Sequence, residues 1–304
     1  MNPFELTILG CGSATPTPHH FCASQVVTLC GKSYMVDCGE GTQYQMRRCH
    51  IGFQNLGHVF ISHLHGDHWF GLIGMISSFA LLGRTYALHV HAPVQLQSTL
   101  NHLLQNYCSD TPFEVVFHAI DTSVHALIHE DSTMKVYSLP LVHGVPTCGF
   151  LFREREGGRH IVRSAIDFYN IPTWVLNGIR EGDDWTTDDG TVVPNSRLTT
   201  PPTPTRAFAY CSDTAFNPDL VPLLRGVDLL YHEATYADDM QSRAELYKHS
   251  TAREAATIAR DAGVGRLVIG HFSQRYNDES VLLNEAKQVF EDTILASEGL
   301  FLRI

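Results

Sequence analysis

The sequence lacks any long apolar run, since no stretch reaches the roughly 18 uninterrupted apolar residues that a membrane span requires. Its first residues, MNPFELTILGCGSATP, also lack the basic segment and the long apolar segment of a signal peptide. The eight cysteines are scattered and include no CxxC pair. This pattern suits free thiols in a reducing compartment better than a disulfide framework or a zinc ribbon. We therefore expect a cytoplasmic protein with no membrane partner.

Positive charge is scarce as well. Lys and Arg total 21 against 32 Asp and Glu, which gives a formal net charge of −11. Such a balance argues against a surface coated in basic residues for bulk nucleic-acid binding, although it leaves room for a local basic patch. Hydrophobic residues at 44% and charged residues at 17% of the 304 residues describe a globular chain with a sizeable core.

Short β-branched or aromatic runs alternate with segments of helical spacing along most of the chain. The predicted strands are FELTILG, SQVVTL, SYMVDCG, HVFISH, YALHVHA, EVVFHAI, KVYSLPLV, RAFAYCSD, DLLYHEAT, RLVIGHF and GLFLRI. The predicted helices cover residues 71–82, 94–108, 251–263 and 278–290. Thr251-Ala-Arg-Glu254 is a capping box, which starts a helix just after His249. The alternation indicates a layered α/β architecture.

The stretch ISHLHGDHWFGL, residues 61–72, places His63, His65, Asp67 and His68 within six positions. Residues i and i+2 at the end of a strand point the same way, so His63 and His65 can meet one ion. Gly66 then permits a turn, after which Asp67 and His68 lie at the start of the next helix and face another direction. Imidazole and carboxylate ligands suit zinc first, with manganese or iron behind it. The pattern predicts two neighbouring metals rather than a polar turn with satisfied histidines.

Two metals need further ligands from other strand ends. At three places an apolar strand ends in a ligand-type residue beside a small one: His143 in LPLVHGVPTCGF, Asp213 in FAYCSDTAF and His271 in LVIGHFSQRY. By contrast, His89 and His91 are also spaced by two, but no ligand follows to complete a site. We expect ordinary structural positions for these two and for the other histidines: His19, His20, His50, His58, His102, His118, His125, His129 and His160.

The order HxHxDH, then His, Asp and His, resembles the metallo-β-lactamase-fold hydrolases. Further sequence motifs narrow the resemblance to the ribonuclease Z family of tRNA 3′-processing endonucleases. They are LGCGSATPTP, DCGEGTQYQ, PLVHGVPTCGF, YCSDT, HEAT, HST and GHFSQRY. The match runs from the first ten residues to about residue 276. It implies a single domain over residues 1–304, folded as an αββα four-layer sandwich, with a flexible arm inserted at about 153–205.

The resemblance also implies two zinc ions per subunit, with manganese as a substitute. In that scheme His63, His65 and His143 hold one ion, Asp67, His68 and His271 hold the other, and Asp213 bridges both. Two-metal sites hold their ions roughly 3.5–4 Å apart and lower the pKa of a water between them.

Three further roles follow from the resemblance. Asp67 takes up the proton of the attacking water, although a metal-bound carboxylate is a weak base. His249 of the HST word contacts the scissile phosphate or protonates the leaving oxygen, and its place before a helix N-terminus favours a phosphate nearby. Glu233 of the HEAT word either orients His249 or forms a buried cap or ion pair. Asp37 and Glu40 are interpreted as supporting or turn residues.

From Arg153 to about Thr205 the alternation of strands and helices stops. The segment carries four arginines, Arg153, Arg155, Arg159 and Arg163, then the acidic EGDDWTTDDG, and ends TTPPTPTR. A long solvated loop is one interpretation, but loops of this length are uncommon inside compact domains unless they are functional or disordered. The resemblance implies an arm that clamps precursor tRNA, in a homodimer where one subunit's arm holds the tRNA that the other cuts. Arms of this family often use a Gly-Pro pair and basic residues to bind tRNA. This segment has no Gly-Pro pair, and its arginines are expected to contact phosphates.

Three functions are compatible with these features. The first is a zinc-dependent endoribonuclease that removes the 3′ trailer from tRNA precursors, leaving a 3′-hydroxyl on the tRNA and a 5′-phosphate on the trailer. The second is a metal-dependent hydrolase of small phosphodiesters, lactones or lactams on the same fold. The third is a non-catalytic RNA-binding or structural protein. Such a protein should have lost some of the metal ligands, whereas this sequence retains all seven candidates. The long arm and the HEAT and HST motifs favour the first function, the tRNA-processing endoribonuclease.

Overall fold

The protein, described here over residues 2–304 by a computed structural model, contains two large β-sheets. They belong to a body formed by the chain up to Arg153 and from Arg206 onward, whereas Glu154–Thr205 forms a second compact unit, the arm. The strands of the body are β1 (Phe4–Gly10), β2 (Ser24–Leu29), β3 (Lys32–Val36), β4 (Leu56–Phe60), β5 (Leu88–Pro93), β6 (Val115–Ile120), β7 (Leu127–Glu130), β8 (Met134–Pro140), β9 (Cys148–Glu154), β10 (Ala207–Cys211), β11 (Leu229–Glu233), β12 (Arg266–Gly270), β13 (Thr293–Leu295) and β14 (Phe301–Arg303).

Each sheet has seven strands. The first has the order β14-β1-β2-β3-β4-β5-β6, and the second has the order β13-β12-β11-β10-β9-β8-β7. Strands β3 to β6 run parallel to one another, as do β10 to β13. Because the carboxyl ends of parallel strands meet at one edge of a sheet, the loops that follow these strands are brought together there.

Helices cover the outer faces of both sheets. The helices of the body are α1 (Thr42–Arg48), α2 (Gly66–Trp69), α3 (Leu72–Leu81), α4 (Leu96–Tyr107), α5 (Gln241–Tyr247), α6 (Ala252–Ala262) and α7 (Ser280–Lys287), with short 3₁₀ turns at Phe53–Asn55, Pro218–Leu220 and Asp238–Met240. The apolar faces of α3 and α4 pack with the outer face of the first sheet, and α6 packs with that of the second.

The inner faces of the two sheets pack against each other. The ring of Phe60 in β4 lies 5.5 Å, centroid to centroid, from the rings of both Phe150 and Phe152 in β9. With helices outside both sheets, the predicted αββα sandwich is confirmed.

The predicted capping box is present at α6. The side chain of Thr251 accepts a hydrogen bond from the Glu254 amide at 3.2 Å, and the Glu254 carboxylate accepts one from the Thr251 amide at 2.8 Å. Several predicted strands run past their observed ends: β3 ends at Val36 and not at Gly39, and β4 ends at Phe60 and not at His63. The chain leaves the sheet there because the Ser62 amide donates to the carboxylate of Asp37. Strands β7, β9 and β13 and helices α1 and α5 were not predicted.

The arm is built around an apolar core of its own, formed by Ile166, Ile171, Ile179, Val193 and Leu198. Its helices are Arg163–Phe168, Leu176–Glu181 and Asn195–Leu198, with a 3₁₀ turn at Thr173–Val175, and its paired strands are His160–Ile161 with Thr199–Thr200 and Trp185–Thr186 with Val192–Val193. The segment is therefore folded, in contrast to a long solvated loop.

Within residues 2–304, none of the helices combines the length and the apolar character needed to cross a lipid bilayer. All eight cysteines are free thiols, as predicted.

Candidate metal centre

The candidate site is assembled from loops at the carboxyl ends of strands from both sheets. His63 and His65 follow β4, and Asp213 and His271 follow β10 and β12. Asp67 and His68 lie in the short helix α2, and His143 lies in the β8–β9 loop. Residues that are far apart in sequence therefore meet because parallel strands end at a common edge.

The seven predicted ligand residues fall into two groups. In the first, His63, His65, His143 and Asp213 each offer one ligand atom, and these atoms all lie within 4.8 Å of one another. In the second, Asp67, His68 and His271 do the same. The structure thus brings together the residues of each expected set, and Asp213 and His271 form a further group of this kind with His249.

Asp213 faces both groups with different oxygen atoms. Its Oδ1 lies 3.2 Å from Nε2 of His271 and 3.4 Å from Nε2 of His68. Its Oδ2 lies 3.7 Å from Nε2 of both His63 and His143. A carboxylate with one oxygen directed to each group is suited to bridge two cations.

Each of three histidines is fixed by a hydrogen bond on the nitrogen that faces away from the centre. Nδ1–H of His143 donates to the Lys248 carbonyl at 2.9 Å, and Nδ1–H of His68 donates to Asp37 at 2.8 Å. Nδ1–H of His271 donates at 2.9 Å to the Thr235 hydroxyl, whose own proton goes to a carboxylate of Glu233.

These bonds direct the Nε2 atoms of His68, His143 and His271 inward, where all three are buried and have no hydrogen-bond partner. Buried polar atoms without partners are rare unless an ion or water completes them. The donor set of imidazoles and carboxylates is the one that zinc and related divalent ions take. The residues present therefore fit divalent metal ions.

The charges around the site also favour cations. Burial alone lowers the pKa of His68, but Asp213, Asp37 and Asp67 raise it well above its usual range. Burial alone raises the pKa of Asp67, but His68 and His271 hold it well below its usual range. The Asp67 carboxylate is thus ionised and attracts positive charge to the Nε2 positions, where a metal ion can replace a proton.

His249 and Glu233 form a second, adjacent arrangement. Glu233 is fully buried, and its Oε1 lies 2.8 Å from Nδ1 of His249. The other oxygen, Oε2, accepts from the amide and the hydroxyl of Thr235 at 3.0 and 2.7 Å. Burial alone lowers the pKa of His249, but the Glu233 carboxylate raises it to about 9. Of the two interpretations of Glu233, contact with His249 is thus observed.

Two adjoining cavities open over the metal centre, and His65, Tyr236 and His249 line both. One, of about 530 Å³, is also lined by Arg243 and Lys248. The other, of about 390 Å³, contains Asp67, Asp213 and His271 together with Ala14 and Arg275. Arg243, Lys248 and Arg275 were not predicted as site residues from the sequence, although Arg275 lies in the GHFSQRY motif.

The arm holds a groove of its own, of about 660 Å³, whose lining includes Arg155, Arg159 and Arg180. Of the other two predicted arginines, Arg163 pairs with Asp167 at 3.1 Å one helical turn away, and Arg153 lies in β9 and belongs to the body. The four predicted arginines therefore differ in position, and Arg180 was missed.

Comparisons with known proteins show similarity along almost the whole chain. The family model "Anti-Pycsar protein Apyc1" matches residues 4–157, and the model "Beta-lactamase superfamily domain" matches residues 183–272. The ribonuclease Z of Bacteroides fragilis is 53% identical over 99% of both chains, and that of Porphyromonas gingivalis is 54% identical over 98% of both. The short form of human tRNase Z superposes with a TM-score of 0.70 at 24% identity, covering 98% of each chain.

Asp37 allows a test of this site without altering a ligand. Asp37→Asn weakens the acceptor of the His68 Nδ1–H, and we expect it to reduce metal affinity by about 10- to 100-fold. The measurement is competition with a chromogenic chelator. Glu40→Gln, an exposed change in the same loop, serves as the matched control and should leave affinity unchanged. Equal affinity in both variants would contradict the role given to Asp37.

Proposed function

The chain belongs to the ribonuclease Z family, and we propose that its metal centre cuts precursor tRNA just after the discriminator nucleotide. It is a metal-dependent endoribonuclease that processes the 3′ ends of tRNA. The proposed products are a tRNA with a 3′-hydroxyl and a trailer with a 5′-phosphate. The observation that carries the proposal is the pair of ligand groups sharing Asp213, which lies beneath cavities also lined by His249.

The proposed metals are two zinc ions per subunit, for which manganese can substitute. His63, His65 and His143 would hold one and Asp67, His68 and His271 the other, with Asp213 shared. When bound, such ions lower the pKa of the attacking water and stabilise negative charge on the phosphate oxygens.

The chain itself supplies the proton for the leaving group. As the water oxygen forms its bond to phosphorus, the bond from phosphorus to O3′ of the discriminator nucleotide breaks, and that oxygen needs a proton. His249 is suited to give it, because its Nδ1 is held by Glu233 at 2.8 Å and its ring lines both cavities. Nε2 is the nitrogen left for the substrate. We assign His249 as the general acid and Glu233 as its positioning residue.

Asp67 has two candidate roles, as metal ligand and as acceptor of the water's proton. Its Oδ2 accepts from the Ala14 amide at 2.7 Å and lies 3.5 and 3.7 Å from Nε2 of His68 and His271. These contacts stabilise the ionised carboxylate and make it a weak base. The ligand role is therefore the principal one proposed.

Substrate binding is proposed to involve both units of the chain. Arg243, Lys248 and Arg275 line the cavities of the body and can neutralise phosphates near the cut. Arg155, Arg159 and Arg180 line the groove of the arm, where bidentate guanidinium groups suit a phosphate backbone. The proposal includes a homodimer in which the arm of one subunit holds the tRNA cut by the other. A cytoplasmic location is in keeping with eight free thiols.

The function is tested with two substrates, a precursor tRNA carrying a 3′ trailer and a small chromogenic phosphodiester. We expect cleavage of the tRNA at one position, loss of cleavage with a chelator and recovery with zinc or manganese. Product ends are read by labelling and sequencing. Efficient hydrolysis of the small diester together with no cleavage of precursor tRNA would support the small-molecule hydrolase instead.

Variants of the His249–Glu233 pair separate chemistry from binding. We expect His249→Ala to lower kcat by about 10²–10⁴-fold while metal content and RNA affinity are retained. Since the Glu233 carboxylate raises the pKa of His249, we expect Glu233→Gln to lower that pKa. The protonated form is then lost at lower pH, so the alkaline limb of the kcat profile should move to lower pH. Loss of a metal ion in His249→Ala would show that this residue is misassigned.

Variants of the arm test how the tRNA is held. Replacement of Arg155 and Arg180 by alanine should raise KM for precursor tRNA. It should also make the salt dependence of binding shallower, by about 0.7–0.9 for each phosphate that is no longer neutralised. Hydrolysis of the small diester should hardly change, because that substrate reaches only the metal centre. Arg163→Ala is the matched control, since this arginine lies in the arm but does not line the groove. A double variant that behaves like Arg163→Ala would exclude the groove from tRNA binding.

A further inference from the structure

A second cluster of histidines lies between the two sheets, apart from the catalytic centre. It is formed by side chains of β4, β5 and β6 in the first sheet and β7 at the edge of the second: His58, His89, His91, His118 and His129. The sequence analysis gave all five ordinary structural positions, because only His89 and His91 are close in sequence.

The strand register explains why four of them share one face. His58 pairs with His89 across β4 and β5, and His91 pairs with His118 across β5 and β6. Paired residues of neighbouring strands point to the same face, as do residues two apart. Phe60, two residues after His58, packs on β9 of the second sheet, so this is the inner face. His129 approaches from β7, and its ring centroid lies 4.0 Å from that of His58.

Three of the rings direct a nitrogen atom toward a common point, as the ligands of a metal ion do. His58, His91 and His129 each offer one ring nitrogen, and the three atoms lie within 4.8 Å of one another. Nδ1 of His58 and Nε2 of His91 are 3.2 Å apart. Two nitrogens bound to one tetrahedral zinc at about 2.0–2.1 Å are separated by about 3.3 Å. The pair thus already has the spacing of two ligands of one ion.

Hydrogen bonding among the rings does not satisfy the cluster. His58 pairs with Nε2 of His91, and Nδ1 of His89 lies 2.9 Å from Nε2 of His118, but Nε2 of His129 remains buried without a hydrogen-bond partner. Nδ1 of His91, the ring nitrogen not used toward His58, has no partner either. His91 is only 2% exposed. Such atoms are rare in native proteins unless an ion or a water completes the site.

The rings are also in the protonation state that a ligand needs. Burial first, and the neighbouring imidazoles second, lower the pKa of His58 to about 3 and that of His91 to about 2. Neutral imidazole offers a lone pair to a metal without first releasing a proton. Asp131 lies at the margin, with Oδ2 3.8 Å from Nε2 of His129, and this oxygen accepts from the Tyr34 hydroxyl at 2.6 Å and from Lys32 at 2.9 Å.

We propose that His58, His91 and His129 bind one further divalent transition-metal ion, zinc in the first instance, between the two sheets. Imidazole nitrogens without thiolates suit zinc, copper and nickel better than magnesium or calcium. The ion would join β4 and β5 of the first sheet to β7 of the second. Its role is structural, because the site shares no residue with the two catalytic groups.

The test counts metal ions in the zinc-saturated enzyme after gel filtration, by elemental mass spectrometry. His91→Phe removes the central ligand and places a ring of similar size beside Phe60, which already stacks on His91 at 4.4 Å. His89→Phe makes the same change two residues away on the same strand and face, outside the group of three rings. We expect His91→Phe to carry one ion fewer than the native enzyme and His89→Phe to match it. Equal metal content in all three would overturn the proposal and leave a hydrogen-bonded layer of imidazoles.

Thermal stability supplies a second readout with a milder variant, His129→Gln, on the edge strand β7. Zinc added to enzyme that already holds its catalytic ions should raise Tm by about 5 °C at 100 times the Kd in native and His89→Phe protein. We expect no such rise in His129→Gln. The same rise in all three would count against the site. Precursor tRNA cleavage is followed in parallel, and a variant that loses both cleavage and one ion would place that ion in the catalytic centre, which also overturns the proposal.

Discussion

The buried carboxylate of Asp37 is the interaction on which the site and the sandwich both depend. It follows β3 of the first sheet and accepts from Tyr210 in β10 of the second at 2.8 Å. It also accepts from the amide and hydroxyl of Ser62 at 2.8 and 2.9 Å and from Nδ1 of His68 at 2.8 Å. An ionised carboxylate that is fully buried costs several kcal/mol unless it is paired in this way. Asp37 therefore joins the two sheets and the ligand loop in a single network.

Backbone strain accompanies this arrangement at two positions. Asp37 has φ of 55° and His271 has φ of 62°, both in the left-handed region that residues with a side chain rarely adopt. Each costs on the order of 1–3 kcal/mol and persists only where the surroundings fix it. Here the surroundings are the hydrogen bonds of the Asp37 carboxylate and the contact from Thr235 to His271. The strain is located where side chains must leave a strand end and turn into the centre.

Local patterns were enough to predict the candidate ligands that the structure brings together, since His63 to His68 lie within six positions and the later candidates follow apolar strands. The capping box at Thr251 was predictable for the same reason. What lies behind the ligands was not, because the contact of Asp37 with Tyr210 joins residues 173 positions apart in different sheets. Arg180 was missed because the groove of the arm exists only once Leu176–Glu181 folds as a helix. The inner-face histidines were missed because strand register, and not sequence spacing, brings them together.

The two histidine clusters differ in their carboxylates, and this difference bears on how many ions each is proposed to hold. Two dications about 4 Å apart repel each other strongly unless anionic ligands lie between them. In the catalytic centre Asp213 occupies that position, with one oxygen toward each group. Between the sheets the rings of His58, His91 and His129 face one another, and the nearby carboxylate of Asp131 lies at the margin. Neutral ligands of this kind suit a single ion. Strand β4 carries His58 at its middle and leads into His63 beyond its end, so a bond that fixed β4 against β7 would also restrain the loop from which the candidate catalytic ligands project.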